Sequence, residues 1–481
     1  MITFMLNQEV KQEHQISPNM TVLQYLRSHI YKTGTKEGCA SGDCGACTAV
    51  LAEVKHGQLQ YRSINTCITF VSSLHGKQLI TVEDLRQGDQ LHPVQQAMVE
   101  YHGSQCGYCT PGFIMSMFAL VKNKPSANKQ EIIESLAGNL CRCTGYRSIL
   151  DAGLSLRSNQ PLVDHFSANE KSTISQLKRL NQESASLTYG ELKAYLPRTM
   201  KELAQIYSVN PSAKLVAGGT DLALEVTQQH KKIETLICLH LVEDMKVCFE
   251  KEGMLHIGAN TNITDAAQAL VRLFPDFSEL LHRFASPQIR NLGTLGGNIA
   301  NASPIGDIAP LFIALDAKLK LRCGNKTRTL PLEEFFVRYK ITAQQKSEFI
   351  EQIQIPKLRK QDFFRAYKLS KRLDDDISAV CGAFNIEVND SKVVSARVAF
   401  GGMAEIPKRA IQCERALIGN LWSQETIDSA MASLSKDFKP VSDFRASKAY
   451  RSTTAANMLQ RLFIEYNYLN SQIETRVTTY V

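Results

Sequence analysis

Apolar residues fall along the first 150 positions in two different rhythms. Ile2 to Leu6 and Thr48 to Val54 are short runs rich in branched and apolar residues, which predict strands, and Thr21 to Ile30 between them predicts a short helix. Farther on the period lengthens. Ile114, Met117, Phe118 and Val121 recur at i, i+3, i+4 and i+7, and Ile133, Leu136, Ala137 and Leu140 repeat that spacing, so two helices are expected. Pro111 suits the first turn of one, and Asn128 with Glu131 forms a capping-box start for the other.

From Asp151 to about Ser186 the chain turns polar, with Ser, Asn, Gln and Lys and weak periodicity. It reads as a linker or, equally, as a surface helix around Lys171 to Leu180. Beyond it a short apolar strand precedes Gly218-Gly219-Thr220-Asp221, and two strand-like segments, AVCGAFNIEV and VVSARVAFGG, lie in the last quarter.

Length and composition narrow the class. A chain of 481 residues implies two to four domains. No apolar run is long enough for a membrane span, and the first ten residues lack the basic-then-apolar order of a secretory signal, so a cytoplasmic protein is expected. The net charge of +8 is spread without a basic block, so nucleic acid is not implied.

Cysteine usage changes the picture most. Of 13 cysteines, eight stand at positions 39, 44, 47, 67, 106, 109, 141 and 143. A chain of the reducing cytosol is not expected to hold them as disulfides, so metal ligation is the leading account. Cys39-x4-Cys44-x2-Cys47, closed by Cys67, has the plant-ferredoxin spacing for a [2Fe-2S] cluster. Gly38, Gly42 and Gly45 suit a loop that brings backbone N–H groups close to sulfur. Zinc, which favours paired knuckles, fits this spacing poorly. Cys106-x2-Cys109 and Cys141-x-Cys143 form a second quartet on a helical stretch, and spacing alone leaves iron–sulfur and structural zinc open there.

Two glycine-rich strings suggest a bulky cofactor. Gly218 to Asp221 can offer successive N–H groups to a phosphate, and Arg290-Asn-Leu-Gly-Thr-Leu-Gly-Gly-Asn298, continuing to Asp307, suits backbone pressed against a ligand. No GxGxxG stands between a strand and a helix, so a Rossmann site is not supported.

Together GCASGDCGACTAV, SQCGYCTPGFIMS, GNLCRCTGYR, VAGGTDL, RNLGTLGGNIANASPIGD and FGGMAEIPKRA carry a resemblance. In that order, end to end, the chain resembles the small iron–sulfur and flavin subunit of bacterial xanthine dehydrogenases, in the molybdenum hydroxylase family. Phe70, where proline is usual, and Asp84, where glycine is common, depart from the pattern.

The resemblance implies a multidomain α+β protein. A ferredoxin-like β-grasp [2Fe-2S] domain is expected over 1–77 and an all-α [2Fe-2S] helical bundle over 78–155. A linker would follow over 156–187, then a two-subdomain, non-Rossmann FAD-binding domain over 188–361 and a C-terminal α+β domain over 362–481. No stretch is left over for molybdenum–molybdopterin, so a separate large subunit would hold it, in a heterooligomer such as (αβ)2. Electrons from hypoxanthine or xanthine oxidation would pass through both clusters to FAD and on to NAD+.

By the same resemblance, Cys39, Cys44, Cys47 and Cys67 would ligate the first cluster, and Cys106, Cys109, Cys141 and Cys143 the second. Leu215, Val216, Ala217, Gly218, Gly219, Thr220, Asp221 and Leu222 would line FAD, with Thr294, Gly297, Asn298, Ser303 and Asp307. Phe284 and Lys368 match residues at the flavin ring. Tyr339 and the acidic run Asp374, Asp375 and Asp376 match the NAD site. Each has a plainer alternative: core packing for Phe284, a helix N-cap for Asp307, a solvated lysine for Lys368, solvated surface for the acidic run. Two other functions stay open, a module serving a different molybdenum hydroxylase acting on an N-heterocycle or aldehyde, and a zinc-stapled scaffold without catalysis.

Overall fold

The structure is a computed structural model and describes residues 1–468 and 475–476. The chain divides into two compact units, Met1–Glu243 with Ser286–Gly293, and Asp244–Ala285 with Thr294–Val481. That division runs through the 188–361 span.

The first unit begins with a five-stranded sheet in the spatial order Glu9–Glu13, Ile2–Leu6, Gln78–Ile80, Thr48–Lys55, Gln58–Asn65. Ile2–Leu6 and Gln78–Ile80 run parallel and the other neighbours antiparallel. Thr21 caps Val22–Gln24 in a capping box, and the chain continues as a π-helical turn over Tyr25–His29. Thr48–Lys55 reads as an unbroken apolar run because both of its faces are covered. Ala49 and Leu51 join the core with Val22, Leu26 and Leu236, whereas Val50 and Ala52 pack with Phe113, Met117 and Phe118.

That second core belongs to four helices, Pro93–Glu100, Thr110–Asn123, Lys129–Leu136 and Arg147–Ser155. Ile114, Met117, Phe118 and Val121 are all buried, as their spacing predicts. Fully buried Phe118 alone contributes about 2–3 kcal/mol of apolar burial. The second repeat behaves differently. Lys129–Leu136 buries Ile132 and Leu136 and leaves Ile133 exposed; it ends before Ala137, so Leu140, also exposed, lies beyond the helix that its spacing predicts. Ile133 and Leu140, with Ala137, Tyr146, Leu150 and Leu154, line an apolar cleft of about 610 Å³.

The polar stretch after Asp151 is docked to its neighbours. Phe166 is buried against Phe118, and Asp164 accepts hydrogen bonds from Lys122 Nζ at 2.8 Å and pairs with His92 at 3.2 Å. Glu170–Leu180 is a helix, and Asn181 after it donates to Gly76 O at 3.0 Å. A four-stranded sheet ordered Ala185–Tyr189, Leu192–Leu196, Thr235–Cys238, Lys214–Val216 completes the unit, together with the helix Pro287–Leu292.

The two departures from the family pattern hold their own places here. Phe70 is fully buried, and Asp84 closes a capping box with Thr81 while pairing with Lys32 at 2.5 Å.

The second unit contains an antiparallel five-stranded sheet ordered Cys248–Lys251, Met254–Gly258, Phe349–Pro356, Lys318–Cys323, Lys326–Pro331. A second antiparallel sheet is ordered Asp362–Leu369, Val380–Asn389, Lys392–Gly401, Lys408–Arg409, so both strand-like segments near the C-terminus are strands. Ile308–Ala314, buried at every position, packs on this sheet, as do Ile411–Leu417 and Lys448–Asn467, and Gln424–Asp437 packs against those last two helices. Among the described residues no helix is long and apolar enough to cross a membrane.

Candidate functional site

None of the 13 cysteines is joined in a disulfide. In the first quartet the sulfurs touch in a row. Cys47 Sγ lies 3.3 Å from Cys67 Sγ, and Cys39 contacts both Cys44 and Cys67. The N–H groups of Ser41, Asp43 and Cys44 all point at Cys39 Sγ, at 3.4, 3.3 and 3.4 Å. Three donors converging on one sulfur make a site for negative charge, which is what a cluster thiolate carries.

Crowding makes the thiols unequal. Hydrogen bonds from Cys44, and then Cys67, drive Cys39 far below the ordinary thiol range, while the same contact with Cys39 drives Cys44 above it. Contacts with Cys39 and Cys47 push Cys67 up, and Cys67 in turn holds Cys47 down.

The loop's shape depends on Gly45. Its φ of +70° is costly for a side chain, and a Cβ there would stand 2.1 Å from Gly138 O. It is therefore a close-approach point between the first cysteine loop and the segment leading to Cys141.

In the second quartet Cys109 contacts Cys141, and Cys106 contacts Cys143. Cys109 ends the loop before helix Thr110–Asn123, which has Pro111 in its first turn. Burial, helped by Cys141, pushes the Cys109 thiol up to about 12. Burial also opposes ionisation of Cys141, but Thr144, whose hydroxyl oxygen lies 3.1 Å from the sulfur, holds that thiol below the ordinary range. Cys106 and Cys143 are exposed, whereas Cys47 and Cys67 are buried. Among the described residues no three metal-binding side chains gather as they would round a single ion. The thiols of this second quartet stand in two contacting pairs, Cys109 with Cys141 and Cys106 with Cys143.

The two quartets are tied together within the first unit. Leu140 N donates to Cys44 O at 3.0 Å, and the Tyr108 hydroxyl donates to Glu37 O.

The glycine loop expected at FAD lies in the same unit, beside the first quartet. Gly218 has no room for a side chain, since a Cβ would meet Leu292 O at 2.0 Å. A Cβ on Gly219 would lie 3.5 Å from the carbonyl of Ile68, the residue after Cys67. Gln228 Nε2 donates to Ala40 O at 3.0 Å, next to Cys39. Leu215, Ala217, Thr220 and Leu222 are half-buried, Val216 is buried and Asp221 is exposed.

The second unit holds the remaining candidates. Thr294 caps Leu295–Ala300 through Gly297 N at 3.0 Å, and Ser303 accepts from Gly306 N and Ile305 N in the turn that follows Asn298. Asp307 stands at the N-cap position of Ile308–Ala314 but makes no capping bond. Its Oδ2 accepts from Lys368 Nζ at 2.5 Å, with both side chains buried, and its Oδ1 is buried without a partner. Lys368 also donates to Asp376 O at 2.7 Å and Ser378 Oγ at 2.9 Å, so it is neither a solvated lysine nor one with a spare bond.

Arg283 and Ser378 complete this cluster, and neither is visible as a motif in the sequence. Buried Arg283 donates to Lys368 O at 3.0 Å and to Leu373 O at 2.9 Å, and its own carbonyl accepts from Asp375 N at 3.2 Å. It therefore pins both ends of the acidic loop. Asp376 is half-buried. Burial works against its charge, but N–H bonds from Arg372 and Ile377 hold the carboxyl below its usual range. Asp374 is exposed, Asp375 takes a φ of +53°, Phe284 is half-buried and Tyr339 is exposed on the hairpin Phe336–Arg338 to Ile341–Thr342.

Comparison with known proteins follows the same division. A 2Fe-2S iron-sulfur cluster binding domain matches residues 5–72, and a [2Fe-2S] binding domain matches 81–154. An FAD binding domain in molybdopterin dehydrogenase matches 190–358, and a CO dehydrogenase flavoprotein C-terminal domain matches 365–466. Xanthine dehydrogenase of Emericella nidulans is 33% identical over 99% of this chain and 39% of its own length. Xanthine dehydrogenase/oxidase of Mus musculus is 31% identical over 91% of this chain and 36% of its own. The chain thus spans less than half the length of these relatives. A carbon monoxide dehydrogenase structure from Hydrogenophaga pseudoflava, lacking the Mo-pyranopterin moiety of its cofactor, superposes with a TM-score of 0.54 at 26% identity. It covers 56% of this chain and 95% of that one.

Proposed function

Because this chain belongs to the molybdenum hydroxylase family and is built as its iron–sulfur and flavin electron-transfer module, we propose that it is the relay subunit of an NAD-dependent xanthine dehydrogenase. In this reading a partner large subunit holds molybdenum–molybdopterin and oxidises hypoxanthine or xanthine. Bound [2Fe-2S] clusters supply one-electron carriage, and bound FAD supplies the exchange between single electrons and the hydride that NAD+ takes.

The observation that carries the reading is the graded exposure of the two quartets. Cys106 and Cys143 lie open at the surface of the helical domain, and Leu140 and Tyr146 of its apolar cleft flank the Cys141–Cys143 pair in sequence. Cys47 and Cys67 are buried, and Ile68 beside them faces the Gly218–Asp221 loop. The open quartet suits entry of electrons from the partner, and the buried one suits their passage toward flavin. Cys39, Cys44, Cys47 and Cys67 would hold the first cluster, and Cys106, Cys109, Cys141 and Cys143 the second.

The residues also fit a flavin. Within the first unit, residues 215–222 are proposed FAD contacts; within the second, taken by itself, so are Thr294, Gly297, Asn298, Ser303 and Asp307. The unpartnered Asp307 Oδ1 is the observation that favours a ligand there. A buried carboxylate oxygen without a donor costs about 1–3 kcal/mol or more, and a ligand hydroxyl or amine would remove that cost. Lys368 fixes the orientation of Asp307, and Phe284 would offer a ring beside the flavin. Tyr339, Asp375 and Asp376 are the proposed NAD-side residues.

The test is co-expression with the partner subunit, purification of the assembly and assay with xanthine and NAD+. Turnover to urate with NADH formation supports the reading. Turnover only with N-heterocycles or aldehydes replaces xanthine as substrate and keeps the relay.

A further inference from the structure

A buried polar cluster sits where the two cysteine loops meet, and its centre comes from a third part of the chain. Gln288, on helix Pro287–Leu292, is completely buried. Its Nε2 lies 3.2 Å from Thr48 Oγ1, 3.4 Å from Ser116 Oγ and 3.2 Å from Asn139 Oδ1. Asn139 in turn donates to Gly45 O at 3.0 Å and Thr48 Oγ1 at 3.1 Å, and accepts from Ser116 Oγ at 2.6 Å. Thr48, Ser116 and Asn139 are all at least 97% buried, their exposures being 1%, 2% and 3%.

The positions of these partners give the cluster its meaning. Thr48 follows Cys47, Gly45 follows Cys44 and Asn139 precedes Cys141 by two residues. Next to the cluster, the Leu140 N–H bond to Cys44 O joins the two cysteine segments directly. The helix that carries Gln288 is itself anchored on the sheet, since Asn291 Nδ2 donates to Ser63 O at 2.9 Å.

Buried polar groups are costly unless bonded, and bonded ones select one arrangement over others that apolar packing would accept; in Gln288 it is the Nε2 end that is bonded, while Oε1 has no partner. Generic packing would be met by a leucine. An amide whose two hydrogens are shared among three acceptors from two domains instead fixes their spacing and rotation.

We propose that Gln288 is a positioning residue for electron transfer between the two iron–sulfur centres. It clasps the Cys44–Thr48 loop to the Asn139–Cys141 segment and keeps the Leu140–Cys44 hydrogen bond in place. The proposal rests on the two-cluster reading above. The step it serves moves one electron from the reduced second centre to the oxidised first, and no bond or proton moves with it.

The test compares the full-length chain with its Gln288→Met variant, a change that keeps length and removes every donor. Both are loaded with iron and sulfide and fully reduced with dithionite, and the magnetic interaction between the two centres is read by low-temperature EPR. Hydrogen exchange at the Leu140 amide is followed in parallel. The native chain is expected to show interacting signals and a protected Leu140 amide. The variant is expected to keep both centres, lose or markedly weaken the splitting, and exchange Leu140 faster.

A variant that melts at lower temperature with splitting and protection unchanged overturns the proposal, because Gln288 would then contribute only to stability. Should Gln288→Met fail to hold both centres, Thr48→Val removes the same bridge from the other side and is read by the same two measurements. A native chain without two [2Fe-2S] signals defeats the underlying reading instead, so the two failures are distinguishable.

Discussion

The two cysteine quartets solve one problem with different materials. The first is a loop on a β-sheet, and its backbone does the work: three N–H groups converge on Cys39 Sγ, and Cys47 and Cys67 are buried. The second hangs between helices and leaves Cys106 and Cys143 exposed. Backbone donors and burial suit a centre insulated from solvent, and exposure suits one that must meet a partner. If both quartets hold the proposed centres, this contrast is what would give them an order.

The largest expected effect comes from removing one quartet. Cys109→Ser should halve the iron, from about four to about two per chain for two binuclear centres, and leave the spectrum of the first centre intact. In the assembled enzyme it should abolish reduction of FAD by purine while NADH still reduces the flavin. Undiminished purine-to-NAD+ turnover in that variant would erase the proposed order.

Acid should separate the two regions next. In the ferredoxin-like domain, burial first and then the nearby N-terminal charge depress His75 from its ordinary 6.5 to about 4. The unfolded chain therefore takes up the proton first. Stability is full above pH 6.5 and falls as pH drops toward 4, by about 3 kcal/mol at 1.36 kcal/mol per pKa unit. In the helical region Asp164 is opposed by burial but held below its usual range by His92, Lys122 and Ser167. Its contribution is present above about pH 4, the ordinary carboxylate range, and is lost only at lower pH. Urea unfolding of the full chain between pH 7 and 4 should show early loss at the first domain, and His75→Gln should flatten that slope.

Gly45→Ala should destabilise by about 2 kcal/mol, from its positive φ and its contact with Gly138 O. It should also loosen the first loop more than the second, measurable as a lower thermal midpoint with selective loss of the first centre. Smallest is Asn128→Ala. It removes the cap of Lys129–Leu136 and costs about 1 kcal/mol without touching either centre. A change in the spectrum of the first centre would show that the regions are less separate than described.

Much of this contrast was legible in the residues, because cysteine spacing and helix caps are local. Asn128 and Glu131 form the expected box, and Thr48–Lys55 is a strand where Thr48 to Val54 predicted one. Periodicity alone carried the second helix past its end at Leu136 to Leu140, and did not foresee the exposure of Ile133 and Leu140. It reports that a face is apolar and does not say that the same chain covers it. The polar residues after Asp151 looked like a linker because few are apolar, yet Phe166 and Asp164 dock them.

Long-range partners were the part that could not be read. Asp307 and Lys368 were each candidates for a flavin. That they pair with one another, and that Arg283 pins the acidic loop, depends on contacts across 61 and 90 residues of chain. Gln288 gave no signal at all, since its three partners lie between 149 and 240 positions away.

The central claim is that two binuclear iron–sulfur centres of different exposure feed one flavin. Its most direct test is elemental and cofactor analysis of the purified full-length chain, with EPR of the reduced protein. The account predicts about four iron and about four acid-labile sulfide per chain, one FAD and two distinguishable [2Fe-2S] signals. A colourless protein holding zinc, with no labile sulfide and no flavin, would contradict it.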